Sequence, residues 1–200
     1  MRRRSWKRGA IRIMLALGLV LLPGAGRASA QDAAPAFDPD DPENHLYLDL
    51  ECGRVDILMR PDKAPLHVER IRTLARRGFY DGVIFHRVIP GFMAQTGDPT
   101  GTGRGGSDLP DLPAEFNDLP HLRGTVAMAR AADPDSANSQ FYIMYTRNSA
   151  LDGMYTVWGR VVSGMACVDQ IAPGEPPLNP TRILRARVAA DLPPEERGTP

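Results

Sequence analysis

Short runs in which apolar and polar residues alternate dominate the chain from residue 45 onward. Residues 46–50 alternate Leu with Tyr or Asp, Val55, Ile57 and Met59 recur at every second position, and Cys52-Gly53 lies between the two runs. Alternation of this kind places one face of a strand in a core, so the two runs predict an antiparallel hairpin. Further runs rich in β-branched, aromatic or Met residues predict short strands over residues 83–89, 92–95, 124–130, 140–145, 154–162 and 181–188.

Two segments have the spacing of helices instead. Within residues 61–78, apolar residues such as Val68 and Ile71 recur at helical spacing, and Pro65 suits the first turn of a helix. Residues 164–171 predict a second, shorter helix. A chain with many short strands and two helices is typical of a mainly β fold, either an antiparallel barrel or a sandwich.

The first 30 residues have a composition of their own. Residues 1–12 carry six Lys or Arg, residues 11–22 form a short apolar run, and Ala28-Ser29-Ala30 supplies small residues after it. This is the layout of a secretory signal peptide that is removed after residue 30. The apolar run is shorter than the roughly 20 residues of a transmembrane helix, although an uncleaved membrane anchor remains the alternative. We therefore expect an exported protein with no stable membrane insertion after cleavage.

Charge is distributed unevenly along the chain. Seven of the 24 Lys and Arg residues lie within residues 1–30, which hold no acidic residue, so residues 31–200 carry 17 basic and 24 acidic residues and a net charge of −7. This charge argues against nucleic acid as the main partner, since phosphate binding needs basic patches, and we expect no nucleic-acid partner. Residues 31–44 are rich in Ala, Pro and Asp and predict a disordered linker, and residues 191–200 predict a loose tail after a single domain of residues 45–190.

The two cysteines, Cys52 and Cys167, leave a choice open. Export to an oxidising compartment permits a disulfide between them. Two separate small apolar residues are an equally good interpretation, because the sequence does not show whether the two side chains meet. Neither cysteine belongs to a CxxC pair, so no zinc or redox site is indicated.

Gly-rich and His-containing segments suggest other chemistries, with weak support. Residues 97–106 contain Gly101-x-Gly103-x-x-Gly106, the spacing of a dinucleotide fingerprint. That fingerprint must open a helix, and the Ser and Pro residues that follow it argue against one. A Ser-His-Asp hydrolase has little support, because any chain that contains these residues could supply such a triad. A metal site is disfavoured because His45, His67 and His121 are far apart in sequence and show no ligand spacing. His86, which lies within a dense motif, is interpreted as structural.

Arg87 occupies an unusual position in this pattern. It lies between Phe85 and Ile89 on one face of a strand that otherwise belongs to the core. Arg is seldom fully buried without a partner, so Arg87 must face a ligand or a carboxylate. Gln95 on the following strand could accept a hydrogen bond from an Arg87 that faces a ligand, whereas a structural Arg87 would pair with an acid such as Glu115. The pattern alone leaves the two interpretations even.

Several motifs, in order along the chain, resemble those of the cyclophilins. FHRVIPGFMAQTGD over residues 85–98 is similar to the catalytic segment of that family, and the Gly-rich stretch after it resembles the family's Gly-rich loop. GTVAMAR over 124–130 resembles the bacterial form of the next motif, and NSQFYI over 138–143 and LDG over 151–153 complete the set. The resemblance extends over residues 45–188. It implies a peptidyl-prolyl cis-trans isomerase of the EC 5.2.1.8 type, folded as a closed eight-stranded antiparallel barrel capped by two α-helices.

The same resemblance implies a site on the outside of the barrel. Arg87 and Gln95 would be the catalytic residues: Arg87 would donate to the twisting X-Pro bond, and Gln95 would orient Arg87 and bind the substrate backbone. No cofactor or metal would be needed. The substrate-binding residues implied by motif position are Phe92, Met93, Ala129, Gln140, Tyr142, Leu151 and Tyr155.

Three positions depart from the eukaryotic pattern of the family. Ala150 stands where a Trp is usual, Tyr155 replaces a His and Arg130 replaces an Asn. The expected substrates are proline-containing, unfolded or partly folded exported proteins, handled by a monomer in the bacterial periplasm. A non-catalytic module that holds proline-containing segments is the alternative, and the presence of both Arg87 and Gln95 favours catalysis.

Overall fold

A computed structural model describes residues 36–197 of the chain. Within these residues the fold is mainly β with two α-helices, as expected. The predicted signal peptide, residues 1–30, lies outside the described residues, as do residues 31–35 and 198–200. In chain order the elements are β1 (His45–Leu50), β2 (Gly53–Met59), α1 (Pro65–Arg76), β3 (Arg87–Ile89), β4 (Met93–Thr96), β5 (Thr125–Met128), β6 (Phe141–Met144), β7 (Val157–Ser163), α2 (Met165–Val168) and β8 (Arg185–Val188).

The strands form one antiparallel sheet in the order β3-β4-β6-β5-β7-β2-β1-β8. The hairpin predicted from alternation is present, because β1 and β2 pair with Leu48 opposite Val55. Register shifts interrupt the pairing of β7 with β2 and with β5. Irregularities of this kind bend the strand that carries them, and the sheet accordingly curls.

The prediction of a closed barrel is wrong, because the edge strands β3 and β8 do not pair with each other. The segments just before them meet instead, and the Gly82 N–H donates to the Ile183 carbonyl at 2.7 Å. Farther along β8, the N–H of Ala186 donates to the Asp81 carboxylate at 2.9 Å, so a side chain takes the place of a neighbouring strand. The sheet is therefore an open, curled half-barrel, and both edge strands begin later than predicted.

Strand alternation divides the apolar residues between two faces of the sheet. The main core packs against α1, whose Val68, Ile71 and Leu74 are fully buried. A smaller cluster, called here the outer cluster, consists of Met93, Ala127, Tyr142, Met144, Val157 and the partly buried residues packed on them. Neighbouring residues of β6 show the division, since Phe141 belongs to the main core and Tyr142 to the outer cluster. A site on the outer cluster therefore leaves the main core intact.

The N-terminus of α1 is capped by a side chain from far along the chain. The Glu115 carboxylate accepts from the backbone N–H groups of Leu66 and His67, each at 3.0 Å. A carboxylate at this end of a helix is favoured by the helix dipole as well as by the hydrogen bonds. It also accepts from His67 Nδ1 at 2.6 Å. Glu115 therefore has a structural role as the cap of α1, and it is not the partner of Arg87.

Cys52 and Cys167 form a disulfide, which decides between the two interpretations that the sequence left open. Cys52 lies in the turn between β1 and β2, Cys167 lies in α2, and their Cα atoms are 5.5 Å apart. The two residues are separated by 115 positions in sequence. The bond therefore ties the first hairpin to the segment that follows β7.

Both ends of the described chain pack against the domain. Before β1, the buried Asn44 accepts through its amide oxygen from Arg72 Nη2 at 2.8 Å. After β8, the Tyr47 hydroxyl donates to the Arg197 carbonyl at 2.9 Å. The end of the predicted linker and the tail as far as Arg197 are therefore held by contacts. No helix in the described part of the chain is long and apolar enough to cross a membrane.

Candidate active site

The outer cluster surrounds a small cavity of about 140 Å³. Its floor comes from adjacent strands, with Met93 on β4 and Tyr142 on β6. Its sides come from loops, with Phe92 in the turn before β4 and Leu151 in a 3₁₀ turn after β6. Every predicted site residue except Gln140 lines the cavity, and so does Arg130: the full lining is Arg87, Phe92, Met93, Gln95, Ala129, Arg130, Tyr142, Leu151 and Tyr155.

Arg87 lies half-buried at the edge of this cavity, at the start of β3. Its Nε–H donates to the Glu175 carboxylate at 2.7 Å, and the two side chains are 42% and 52% exposed. Its two terminal nitrogens have no hydrogen-bond partner among the described residues, so they are free to meet a ligand. Arg87 therefore combines the two interpretations that the sequence left even: it is paired with an acid and it also faces the cavity.

The contact that was expected to orient Arg87 is not made. Gln95 lies opposite Arg87 in the pairing of β3 with β4. Its Nε2 donates to Gln140 Oε1 at 2.9 Å, and no hydrogen bond joins it to Arg87. The structure therefore does not make the hydrogen bond through which Gln95 was expected to orient Arg87. The sequence pattern could not have found Glu175, because it lies 88 positions after Arg87 in a loop without a motif.

Gln140 lies beside the small cavity, in the lining of a larger one of about 580 Å³ next to the Gly-rich loop. Its amide nitrogen donates to the carbonyls of Gly103 and Gly105 at 3.1 and 2.8 Å. Its oxygen accepts the hydrogen bond from Gln95. Gln140 therefore fixes Gln95 against the Gly-rich loop.

Comparison with known proteins decides the family. The sequence profile described as "Cyclophilin type peptidyl-prolyl cis-trans isomerase/CLD" matches residues 45–188. A Brucella suis protein named "Probable peptidyl-prolyl cis-trans isomerase" is 51% identical over 167 residues, which covers 76% of this chain and 85% of that protein. The chain belongs to the cyclophilin family. It is a peptidyl-prolyl cis-trans isomerase of the EC 5.2.1.8 type, and its substrates are proline-containing peptides or proteins.

More distant relatives agree with this assignment. The "Peptidyl-prolyl cis-trans isomerase-like 1" of Emericella nidulans is 39% identical over 151 residues, covering 72% of this chain and 93% of that protein. The crystal structure of a Hirschia baltica cyclophilin matches with a TM-score of 0.71 at 31% identity, covering 77% of each chain. A Cryptosporidium parvum cyclophilin crystallised in the presence of the dipeptide Ala-Pro matches with a TM-score of 0.67 at 27% identity, covering 72% of this chain and 98% of that one.

His121 and Asp152 support the cavity floor of this cyclophilin, and the sequence interpretation missed both. His121 is fully buried, and burial lowers its pKa, so its ring is neutral at pH 7. The Asp152 carboxylate accepts from His121 Nδ1 at 3.0 Å, which leaves Nε2 to accept from the Tyr142 hydroxyl at 3.1 Å. The chain of three side chains fixes the Tyr142 ring. Asp152 lies within the LDG motif, whereas nothing in the sequence around His121 pointed to the site.

Two of the three departures from the eukaryotic pattern meet on one wall of the cavity. The Arg130 guanidinium lies 4.8 Å from the centroid of the Tyr155 ring, within the range of a cation–π interaction. Its Nη2 also donates to the Met154 carbonyl at 2.9 Å. Tyr155 in turn meets Tyr142 edge-on, with ring centroids 5.8 Å apart. The third departure, Ala150, is exposed and adds no aromatic surface to the cavity.

Asp98 organises the Gly-rich loop that holds Gln140. Burial on its own raises the pKa of the Asp98 carboxyl, but hydrogen bonds from the Thr100 hydroxyl and from backbone N–H groups of the loop outweigh burial and lower the pKa to about 2. The carboxylate is thus the centre from which the loop is held. The backbone donors are the N–H groups of Thr100, Thr102, Gly103 and Gly105.

We expect Asp98→Asn to lower the free energy of unfolding by about 1–3 kcal/mol at pH 7, because an amide group leaves some of the loop N–H groups without an acceptor. The folded-state pKa of about 2 lies below the unfolded value of about 3.9, so the contribution of the carboxylate is present above pH 4 and is lost as the pH falls toward 2. Urea unfolding from pH 7 to pH 2 measures the unfolding free energies of wild type and Asp98→Asn. The difference between them should become smaller below pH 4.

The matched control is Asp108→Asn, whose carboxylate is 84% exposed. It should leave the free energy of unfolding within about 0.5 kcal/mol of wild type. If the difference in unfolding free energy between wild type and Asp98→Asn stays constant down to pH 2, the charge of Asp98 has no part in holding the loop.

Proposed function

We propose that the small cavity holds the proline ring of the substrate and that Arg87 donates to the X-Pro bond as it twists. The observation that carries this proposal is a free guanidinium edge beside apolar residues of the cavity lining. Both terminal nitrogens of Arg87 lack a partner in the described part of the chain, and Phe92, Met93 and Leu151 line the cavity next to them. An apolar pocket with a few well-placed polar groups is the usual form of a ligand site.

Rotation about a peptide bond is slow because of the electronic structure of the bond. An isomerase site must therefore favour the twisted state of that bond. Partial double-bond character gives a barrier of about 18–20 kcal/mol, and X-Pro bonds exchange over tens to hundreds of seconds. At the twisted geometry the prolyl nitrogen regains its lone pair. A donor that meets this nitrogen, or that holds the rotating carbonyl, binds the twisted state better than either planar isomer. Such differential binding accelerates the reaction without breaking a covalent bond.

Arg87 and Gln95 offer complementary groups for the substrate backbone. The guanidinium stays charged at all relevant pH values and donates through several N–H groups, so it needs no proton transfer. Gln95 commits its nitrogen to Gln140, and its Oε1 accepts no hydrogen bond from the described residues. Because the two residues lie opposite each other on β3 and β4, one extended substrate segment can reach both.

We further propose that the substrates are exported proteins that fold in the periplasm. Residues 1–30 have the layout of a signal peptide, and a disulfide such as Cys52–Cys167 persists in oxidising compartments. The relative from Brucella suis supports a bacterial setting. Unfolded chains hold roughly 10–30% of their X-Pro bonds in the cis form, so newly exported proteins present substrate bonds. We also propose that the protein acts as a monomer.

A protease-coupled assay on an Ala-Pro tetrapeptide tests the proposed activity. Wild-type protein should accelerate the slow cis-to-trans phase in proportion to its concentration. Protein that binds the peptide without accelerating isomerisation would contradict the proposal and would favour the alternative of a non-catalytic binding module.

Export predicts a specific mature N-terminus. Mass spectrometry of the protein from the periplasmic fraction should find Gln31 as the first residue, because the small residues Ala28 and Ala30 precede that position. The matched control replaces Ala28 and Ala30 by Leu, which should block cleavage and leave the longer chain on the membrane. Wild-type protein that keeps residues 1–30 outside the cytoplasm would show an anchor, and cytoplasmic wild-type protein would contradict export.

A further inference from the structure

Glu175 is a charged residue that contacts Arg87 and has no part in the motifs or in the roles proposed above. It lies in the loop between α2 and β8, and its carboxylate accepts from Arg87 Nε at 2.7 Å. We propose that Glu175 is the positioning residue for Arg87: it holds one edge of the guanidinium so that the other edge faces the cavity. This inference rests on the proposed role of Arg87 and assigns to Glu175 the task that the sequence had suggested for Gln95.

The backbone brings the two side chains together. Val88 on β3 and Gly174 in the loop exchange two backbone hydrogen bonds, of 2.8 and 2.9 Å, and so form an antiparallel bridge. In an antiparallel pairing, the residues one step before and one step after such a bridge also stand opposite each other. Arg87 and Glu175 are these residues, so they are direct cross-strand neighbours on one face.

The loop conformation that makes this bridge requires a glycine. Gly174 has a φ of 142°, a backbone conformation that residues with a side chain rarely adopt. A Cβ at this position would lie 2.6 Å from the Cα of Pro177. The chain therefore carries, directly before Glu175, a residue whose small size lets the loop reach β3.

The shape of the Arg87 guanidinium allows it to contact Glu175 and to face the cavity at the same time. The Nε–H shares one edge of the planar guanidinium with a single N–H of one terminal nitrogen, and the remaining terminal N–H groups point in other directions. A carboxylate on Nε therefore leaves those terminal N–H groups available. Within residues 36–197, Arg87 has no other ionic partner. Because both side chains are about half exposed, salt and water weaken the pair. The contribution of Glu175 should therefore be modest and sensitive to salt.

Glu175→Ala should lower kcat/KM by about 3- to 5-fold, the population change that an exposed ion pair can cause. The loss should fall mainly on kcat, since the orientation of Arg87 matters most at the twisted state. Glu175→Gln should lower kcat/KM less than Glu175→Ala does, because the amide oxygen of Gln still accepts from Arg87 Nε. Raising the salt concentration from about 0.05 to 1 M should lower the kcat/KM of wild type toward that of Glu175→Ala, and it should change the kcat/KM of the variant little.

A double variant and a matched control distinguish a positioning role from a general effect of removing a surface charge. In an Arg87→Ala background, Glu175→Ala should have no additional effect, because a residue that acts through Arg87 loses its role with it. The matched control is Asp169→Ala, which removes the carboxylate of a similarly exposed pair with Arg123 and should leave kcat/KM unchanged. Equal losses for Glu175→Ala in the wild-type and Arg87→Ala backgrounds, or higher activity in Glu175→Ala, would overturn the proposal.

The NMR signal of the Arg87 Nε–H group tests the contact without using activity. It is assigned by its disappearance in Arg87→Lys, and it should shift and broaden in Glu175→Ala as the guanidinium loses its fixed partner. An unchanged signal would overturn the positioning role even in an active enzyme. A loss of less than 10-fold in Arg87→Ala would instead refute the proposed catalytic role of Arg87 and would leave the shift of this signal in Glu175→Ala unaffected, so the two failures are distinguishable.

Discussion

Replacing Arg87 by Ala should lower kcat/KM for an Ala-Pro tetrapeptide by at least about 100-fold. The reason is that Ala removes the charged donor at the edge of the cavity, and the loss of one preorganised donor typically costs a factor of about 10²–10³. A 100-fold loss corresponds to about 2.7 kcal/mol of transition-state stabilisation. The apolar lining of the cavity is unchanged in this variant, so peptide binding should weaken much less than turnover. The protease-coupled assay measures kcat/KM, and titration with a non-cleaved peptide measures the affinity for the peptide.

Two controls sharpen this prediction. Arg123→Ala removes an equally charged, 49% exposed side chain paired with Asp169, and it should leave kcat/KM within about 2-fold of wild type. Arg87→Lys should recover only part of the activity, because a compact ammonium group cannot bind Glu175 and the substrate through two separate edges. A loss of less than 10-fold in Arg87→Ala would show that the catalytic donor lies elsewhere.

Removing the disulfide should have the largest effect on stability. A variant with Cys52→Ser and Cys167→Ala should lose about 3–5 kcal/mol of unfolding free energy, because the bond closes a loop of 115 positions and restricts the unfolded chain strongly. Ser suits the exposed position 52, and Ala suits the buried position 167 without adding a polar group to the core. Urea unfolding of the variant and of oxidised wild type measures the difference.

Reduced wild-type protein provides the matched control for the disulfide. Dithiothreitol should lower its unfolding free energy to near the value of the variant and should not change the variant itself. Neither cysteine lines the small cavity, so the folded variant should keep its kcat/KM. A difference below about 1 kcal/mol between variant and oxidised wild type would mean that the bond adds little to the folded state.

Local sequence predicted those parts of the fold that depend on nearest neighbours. The alternation in β1 and β2 correctly predicted their hairpin, because a strand with one buried face must repeat with a period of two. Helix α1 was predicted from apolar spacing, although it begins at Pro65 and not at residue 61. The predicted bounds of β3 and β8 were wrong because they depend on contacts that are not local in sequence. Where these strands begin depends on the contacts between the segments that precede them, which no local pattern encodes.

The candidate site divides in the same way. The motif around residues 85–98 named Arg87, Phe92, Met93 and Gln95, and the structure brings all four to one cavity. The partners of these residues came from elsewhere: Glu175 holds Arg87, Gln140 holds Gln95, and His121 holds Tyr142. Each of these contacts joins segments far apart in sequence, so the pattern of adjacent strands could not predict the hydrogen bond between Gln95 and Gln140.

By itself, the sequence determined the family, the mainly β class and the residue types at the site, because these are encoded in ordered motifs and in the period of the apolar pattern. The tertiary structure alone decided that the sheet stays open between β3 and β8, that Cys52 meets Cys167, and that Arg87 is shared between Glu175 and the cavity. The physical reason is the same in each case. Edge pairing, disulfide bonding and ion pairing depend on the distance between groups brought together by the whole fold, and distances of that kind are absent from any local pattern.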